Sequence, residues 1–289
     1  MKRLKSHFYR FAVLGGDMRQ VYLAELLEEK EYQVQRYGLT GGNEKESCSL
    51  EACLKMAQVV VAPIPFLREG VVFSKNTEKK ILPQELLLHT RPGSILFAGG
   101  IPKEYEKQAK EKGIICVDYL KDGYTAVKNT IATAEGSLAE AIIRSSGNLT
   151  GSNCLVMGYG KCGSTLVSYL KKFSCTVFVA DKEEKQRIKA QLFADRVLEN
   201  AELPQYLENM QYIFNTAPAL VLCRAFLEYV PGDTLILDLA SAPGGVDYEA
   251  AKQRQLQVLQ LPGLPGRYAP YASAKILAEA IERYGKQNL

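Results

Sequence analysis

Three glycines at G-x-G-x-x-G spacing, Gly158, Gly160 and Gly163, lie between an apolar run and a helical one in LVMGYGKCGSTL. Asp181 closes the next apolar run, 23 residues after Gly158. A turn of this kind can hold a dinucleotide. The first glycine permits the tight turn, the second lets a pyrophosphate approach the backbone, and the third lets helix and strand pack closely. The helix start then offers unpaired N–H groups to the phosphates. Tyr159, Lys161 and Cys162 occupy the intervening positions of this turn. Asp181 has the place and chemistry to accept the adenosine ribose hydroxyls. Its charge favours NAD slightly over NADP, and the adjacent Lys182 softens that preference. The expected cofactor is therefore NAD(P).

A second glycine turn, GGDMRQ, follows the first apolar run of the chain and carries Gly15, Gly16, Asp17 and Arg19. It lacks the third glycine, and no acid ends the next run, which closes at Arg36-Tyr37. A helix start beside an arginine suits a carboxylate better than a dinucleotide, so Arg19 is a candidate clamp for an anionic substrate. Arg267, in the Gly- and Pro-rich stretch LPGLPGRYAP, is a second candidate cation. Thr133 and Asn129 are four residues apart on a helical segment and share a face, whereas Glu135 points elsewhere. Arg19, Thr133 and Arg267 form the expected catalytic set.

Two further turns end apolar runs. NTAPA brings Asn215, Thr216, Ala217 and Pro218, and DLASAPGG brings Ala240, Ser241, Gly244 and Gly245, where the nicotinamide half of a cofactor would lie. Asp238 ends its run and suits either a structural cap or an acid. The chain holds two histidines, His7 and His89, both read as structural or surface groups. A 2-hydroxyacid dehydrogenase needs an imidazole acid/base, so that class is disfavoured. Two histidines and no C-x-x-C pair give no basis for a metal site. The seven cysteines are expected to be reduced and mostly buried.

The elements that must position these groups alternate along 289 residues, a length that suits two domains. Strands are expected over 11–14, 34–37, 59–62, 94–98 and 114–117, with helices over 18–30 and 102–112, the latter opened by Pro102 in its first turn. A long helix over 129–147 links a second set of strands: 154–158, 176–181, 212–216, 234–240 and 256–261. A closing helix, 271–285, is expected to return to the first domain. The predicted fold class is α/β, with two Rossmann-like doubly wound parallel sheets around a cleft, joined by the long helix. Residues 1–128 form the substrate-side domain, with 271–289 packed back on it, 129–147 the linker helix, and 148–270 the NAD(P)-binding domain. Net charge is +4, without a basic run interleaved with aromatics, which disfavours nucleic acid. The basic-then-apolar start lacks a cleavage site, and no run approaches the roughly 18 apolar residues of a membrane span. A cytoplasmic protein is expected.

The segments GGDMRQ, NTIATAEGSLAEAI, VMGYGKCG, FNTAPA, LDLASAPGGVDY and LPGLPGRYAP, in this order, resemble the dipicolinate synthase A-subunit family from residue 13 to about residue 285. The resemblance implies the dehydrogenase half of a two-subunit enzyme of endospore-forming bacteria, working with the flavoprotein-like dipicolinate synthase B subunit. It implies oxidation of a dihydro or hydroxytetrahydro dicarboxylate from the lysine pathway to pyridine-2,6-dicarboxylate, with hydride transfer to NAD(P). Localisation would be the mother-cell cytoplasm, and a homo-oligomer is compatible. Ala242 and Arg267 stand where the family commonly carries lysine. Two alternatives stay open: an amino-acid dehydrogenase of the alanine dehydrogenase type, and a dinucleotide-binding protein without turnover.

Overall fold

The computed structural model describes residues 9–39, 49–75, 79–241 and 243–288. Ala242 and His7 lie outside them. The chain divides into two compact units, one of Met1–Lys128 with Ala269–Leu289, the other of Asn129–Tyr268.

The first unit runs β1 (Arg10–Leu14), α1 (Met18–Glu28), β2 (Gln33–Tyr37), α2 (Leu50–Met56), β3 (Val59–Val61), a short antiparallel pair β4 (Leu67–Arg68) and β5 (Val71–Val72), α3 (Pro83–His89), β6 (Ile95–Ala98), α4 (Lys103–Glu111) and β7 (Ile115–Asp118). Its parallel sheet has the order β2-β1-β3-β6-β7. Leaving out the hairpin, that is 2-1-3-4-5, the flavodoxin-like doubly wound order. Its inner strands β1, β3 and β6 are apolar on both faces because helices cover both, whereas the edge strand β2 is polar and only partly buried. Ala12, Leu14, Val60 and Leu96 enter one core cluster, while Phe11, Val13, Val59, Val61 and Phe97 enter the other.

α5 (Gly123–Arg144) begins in the first unit and continues into the second. The second unit then runs β8 (Asn153–Met157), α6 (Lys161–Lys172), β9 (Thr176–Ala180), α7 (Glu184–Ala190), β10 (Arg196–Leu198), α8 (Leu203–Leu207), β11 (Tyr212–Asn215), α9 (Arg224–Leu227), β12 (Leu235–Asp238), α10 (Tyr248–Gln253), β13 (Gln257–Gln260) and α11 (Leu264–Tyr268). The sheet order β10-β9-β8-β11-β12-β13 is the 3-2-1-4-5-6 Rossmann order. Its topological switch point falls between β8 and β11, where a doubly wound sheet receives ligands. α6 buries Gly163, Leu166, Val167 and Leu170, a three-and-four spacing that seats it on the sheet. α12 (Pro270–Asn288) closes the chain in the first unit, where Ala274, Leu277, Ala278 and Ile281 pack with Leu23 and Leu27 of α1.

Several expectations need correction. The long helix starts at Gly123, not residue 129, because Asp122 accepts the Thr125 amide and hydroxyl at its N-terminus. Pro102 caps α4 from outside rather than sitting in its first turn. β10 and the β4–β5 pair leave no sequence signal, being only two or three residues long. Cys53 is disulfide-bonded, so the thiols are not uniformly reduced; an odd cysteine count still leaves room for one pair. The other described cysteines are free. Among the described residues no helix is long and apolar enough to cross a membrane, and no group of His, Cys, Asp and Glu is placed to hold a metal.

Candidate nucleotide site

The C-terminal ends of β8, β9 and β11 surround a cavity of about 560 Å³. Gly158, Gly160, Lys161, Cys162, Asp181, Lys182, Thr216, Ala217 and Pro218 line it. Each glycine has a separate physical role. Gly158 has φ +90°, and a Cβ there would come within 2.8 Å of Thr216 Oγ1 and 3.2 Å of the Ala217 nitrogen. A Cβ on Gly163 would lie 1.9 Å from the Gly158 carbonyl oxygen, so this glycine is what lets α6 pass so close to the turn. A Cβ on Gly160 would meet nothing within 4 Å, because this position faces the cavity. Gly160 also caps α6 with no side-chain hydrogen bond, which leaves the N–H groups of the first turn for a ligand. An uncapped helix start beside a side-chain-free cradle fits a pyrophosphate.

Asp181 stands opposite. Its Oδ2 accepts the Tyr159 amide at 2.6 Å and its Oδ1 the Glu183 amide at 2.8 Å, and each oxygen keeps a second lone pair. Arg187 steadies the same turn by donating to the carbonyls of Asp181 and Lys182. The Lys182 side chain is 79% exposed. Tyr159 is buried and reaches the site through its amide alone. Burial pushes the Cys162 thiol up from its ordinary range, against the pull of Lys161, so it lines the wall as a neutral group.

Thr216 turns its hydroxyl inward, donating to the carbonyls of Met157 (3.1 Å) and Gly158 (3.0 Å). Asn215 is fully buried, and its amide is spent on Ala217 and Asp238. Neither Asn215, Ala240 nor Ser241 lines the cavity. Gln186, Asn200 and Val221 do, although the sequence does not single them out. No motif marks them; Gln186 lies on α7, Asn200 follows β10 and Val221 follows β11, so the fold gathers them from three separate segments.

The first glycine turn is built to a different end. The Gly15 amide donates to Tyr37 O and the Gly16 amide to Phe73 O. A Cβ on Gly15 would lie 2.6 Å from Ser74 Oγ and 2.7 Å from Phe73 O, so the chain covers this turn itself. Asp17 caps α1, its Oδ1 accepting the Arg19 amide. The Arg19 guanidinium closes on the same carboxylate through Nε (2.9 Å) and Nη2 (2.8 Å), and Nη2 reaches Ile64 O at 2.5 Å. A carboxylate does sit at this helix start against Arg19, as the residue types suggested, but it is the chain's own. Arg19, 6% exposed, ties the turn together instead of presenting a free clamp.

Arg267 also has a partner. Its Nη2 donates to Glu140 Oε1 at 2.6 Å, as does the Tyr268 hydroxyl. Arg144 reaches the other oxygen at 3.4 Å. The Tyr268 bond, with Arg267 behind it, holds the Glu140 carboxyl below the usual glutamate range although burial opposes this. Unlike Arg19, Arg267 keeps 43% of its side chain exposed. Thr133 donates back to the Asn129 carbonyl, four residues earlier on α5. His89 is half-buried with Nδ1 3.9 Å from Glu51, remote in sequence from every turn described above.

Residues 10–120 match the family profile described as the N-terminal domain of the dipicolinate synthase A subunit. Over 281 residues the chain is 27% identical to the dipicolinate synthase A subunit of Bacillus subtilis (strain 168), covering 95% of each sequence. Over nearly its whole length the chain is similar to the dipicolinate synthase A subunit, and over residues 10–120 to that family's N-terminal domain. The crystal structure of the dipicolinate synthase A chain from Bacillus subtilis agrees with a TM-score of 0.83 at 26% identity, over 96% of both chains. A structure of L-alanine dehydrogenase shares the fold at TM-score 0.62 and 13% identity, over 96% of this chain and 90% of that one. The chain thus has a two-unit α/β fold of the Rossmann-like kind found in alanine dehydrogenase.

Proposed function

We propose that this chain is the dehydrogenase component of a dipicolinate synthase, oxidising dihydrodipicolinate or its hydroxytetrahydro precursor to pyridine-2,6-dicarboxylate in the mother cell of a sporulating bacterium. Its partner is the B subunit of that synthase. The observation that carries this reading is the uncapped start of α6, with Gly160 open to a cavity, in a chain similar over 95% of its length to a dipicolinate synthase A subunit. Bound NAD(P) supplies the hydride acceptor. The α6 amides and the Gly160 backbone hold its pyrophosphate, and the free lone pairs of Asp181 accept the ribose hydroxyls. Thr216, Ala217 and Pro218 wall the far side, Thr216 by bracing the Gly158 carbonyl.

The substrate is a dianion, and the exposed edge of the Arg267 guanidinium answers one carboxylate while Glu140 fixes its other edge. Thr133 offers a hydroxyl lone pair on α5. Arg19 serves by keeping the first glycine turn in shape. Aromatisation of the ring drives loss of hydride and proton, after loss of water where the hydroxytetrahydro compound is the substrate, so the reaction does not demand an imidazole base. The test mixes purified chain, dihydrodipicolinate and NAD(P), with and without the B subunit, and follows the ultraviolet absorbance of dipicolinate together with reduced cofactor. The two signals should rise in equal amounts. Cofactor binding with no dipicolinate in either mixture would identify a non-catalytic nucleotide-binding protein instead.

A further inference from the structure

Asp238 ends β12 in register with Asn215 at the end of β11. Both are buried, with Asp238 1% exposed. A carboxylate in such a place is tolerated only when its oxygens are well supplied with donors. Here four donors converge. Oδ1 accepts Asn215 Nδ2 at 2.8 Å and the Ala240 amide at 3.1 Å. Oδ2 accepts the Gly245 amide at 2.8 Å and the Tyr248 hydroxyl.

None of these bonds belongs to the strand ladder; all four run to turns, to a neighbouring side chain or to α10. Asn215 passes the connection onward, taking the Ala217 amide on Oδ1 and giving Nδ2 to the Ala217 carbonyl. Gly245 closes the circuit, its carbonyl accepting the amides of Val221 and Leu222 at 3.0 Å each. A Cβ on Gly245 would lie 2.1 Å from Asn215 Nδ2 and 2.9 Å from the Ala217 carbonyl, so the two turns meet here with no room for a side chain at position 245. Thr216, Ala217, Pro218, Ala219 and Val221 line the cavity, whereas Asp238, Asn215, Gly245 and Tyr248 do not.

We propose that Asp238 is the positioning residue of the cavity: its carboxylate, through Asn215, Gly245 and Tyr248, latches the backbone at Ala240 and Gly245 to the 215–222 turn and so holds the wall Thr216–Val221 in the shape that receives a dinucleotide. The last clause rests on the cofactor reading given above; the latch itself does not. Burial, then the neighbouring carboxylate, pushes the Tyr248 phenol up to about 12, so it remains a hydrogen-bond donor throughout the neutral range. Because the ladder bonds of β11 and β12 are separate from the latch, opening it loosens the turns and leaves the sheet in place.

The test uses the full chain with Asp238→Asn or Tyr248→Phe. Backbone hydrogen exchange is followed without ligand, alongside melting temperature and NADH and NADPH titrations. In Asp238→Asn the amides of Ala217, Ala240 and Gly245 should exchange at least about tenfold faster, while Ile213 and Ile236 in the ladder keep wild-type protection. Dinucleotide affinity should fall about thirtyfold in Asp238→Asn and about threefold to tenfold in Tyr248→Phe, whose melting temperature stays near wild type. Should Asp238→Asn fail to fold, Tyr248→Phe carries the same comparison. Wild-type exchange at the three turn amides would overturn the proposal, as would a loss of protection spread equally over turns and ladder. A wild-type chain that binds no dinucleotide would sink the cofactor reading, while the exchange data would still decide whether the latch exists.

Discussion

Replacing Gly160 with valine separates binding from folding at one atom. The free chain has room for the new side chain, since a Cβ meets nothing within 4 Å. Gly160 has φ −73° and ψ −162°, extended backbone that valine adopts freely. No side-chain cap is lost, and valine is merely a poorer N-cap than glycine, so stability should fall by at most about 1 kcal/mol. Binding is another matter, because the valine methyls would fill the space through which a pyrophosphate reaches the first-turn amides of α6. Losing about two charge-assisted hydrogen bonds at roughly 1.5–3 kcal/mol each gives about 3–6 kcal/mol, or roughly 10²- to 10⁴-fold in affinity. Calorimetric titration with NADH and NADPH, beside a thermal melt, reads both quantities. Gly163→Ala is the control of opposite sign. Its Cβ would sit 1.9 Å from a backbone oxygen, so it should cost about 1–3 kcal/mol of stability as an overpacked contact. Undiminished dinucleotide affinity in a folded Gly160→Val chain would refute the placement of the phosphates.

Asp181→Ser should shift preference from NADH towards NADPH in competitive titrations, because it removes a charge that repels a 2′-phosphate while Lys182 remains; a wild type that already strongly prefers NADPH would contradict this role. The Tyr119 hydroxyl is buried without a hydrogen-bond partner among the described residues, so Tyr119→Phe should raise stability by about 1 kcal/mol in denaturant unfolding, and a loss of that size would point to an unrecognised partner. The Glu140 carboxyl is held low in the folded chain, first by Tyr268 and then by Arg267. Its ionised form therefore adds stability above the ordinary glutamate range, and that contribution is lost as pH falls through the folded value. The melting temperature of wild type should exceed that of Glu140→Gln near about pH 7 and converge with it as pH falls below the ordinary glutamate range, whereas a constant gap would mean that the charge is not what stabilises.

Most strands of the two parallel sheets could be read from the sequence because they are short, nearly continuous apolar runs, the pattern of a parallel strand covered on both faces, whereas β10 has no such run. The tight turn between β8 and α6 could be read because glycine is the only residue type that meets its steric demands at positions 158 and 163. What escaped were the partners of the charged groups. The sequence shows Arg19 beside a helix start, but not that Asp17 turns back to cap that helix and take the guanidinium. Nor does it show that Phe73 and Ser74 come to cover Gly15 and Gly16 from some sixty residues away. Glu140 lies 127 residues from Arg267, and only the packing of α11 on α5 at Gly136, with Leu264 and Tyr268, brings them together. Asn215 and Asp238 were visible as polar ends of apolar runs. Their inward orientation follows from the parallel register of β11 and β12, which no local pattern encodes. Residues joined by sheet order or helix crossing leave no spacing signal of their own.

A crystal structure of the chain grown with NAD(P) tests the central claim most directly. The pyrophosphate should lie against the Gly160 backbone and the first-turn amides of α6, with the adenosine ribose at Asp181. A dinucleotide found instead at the Gly15–Asp17 turn, or an α6 start left without phosphate at saturating cofactor, would contradict it.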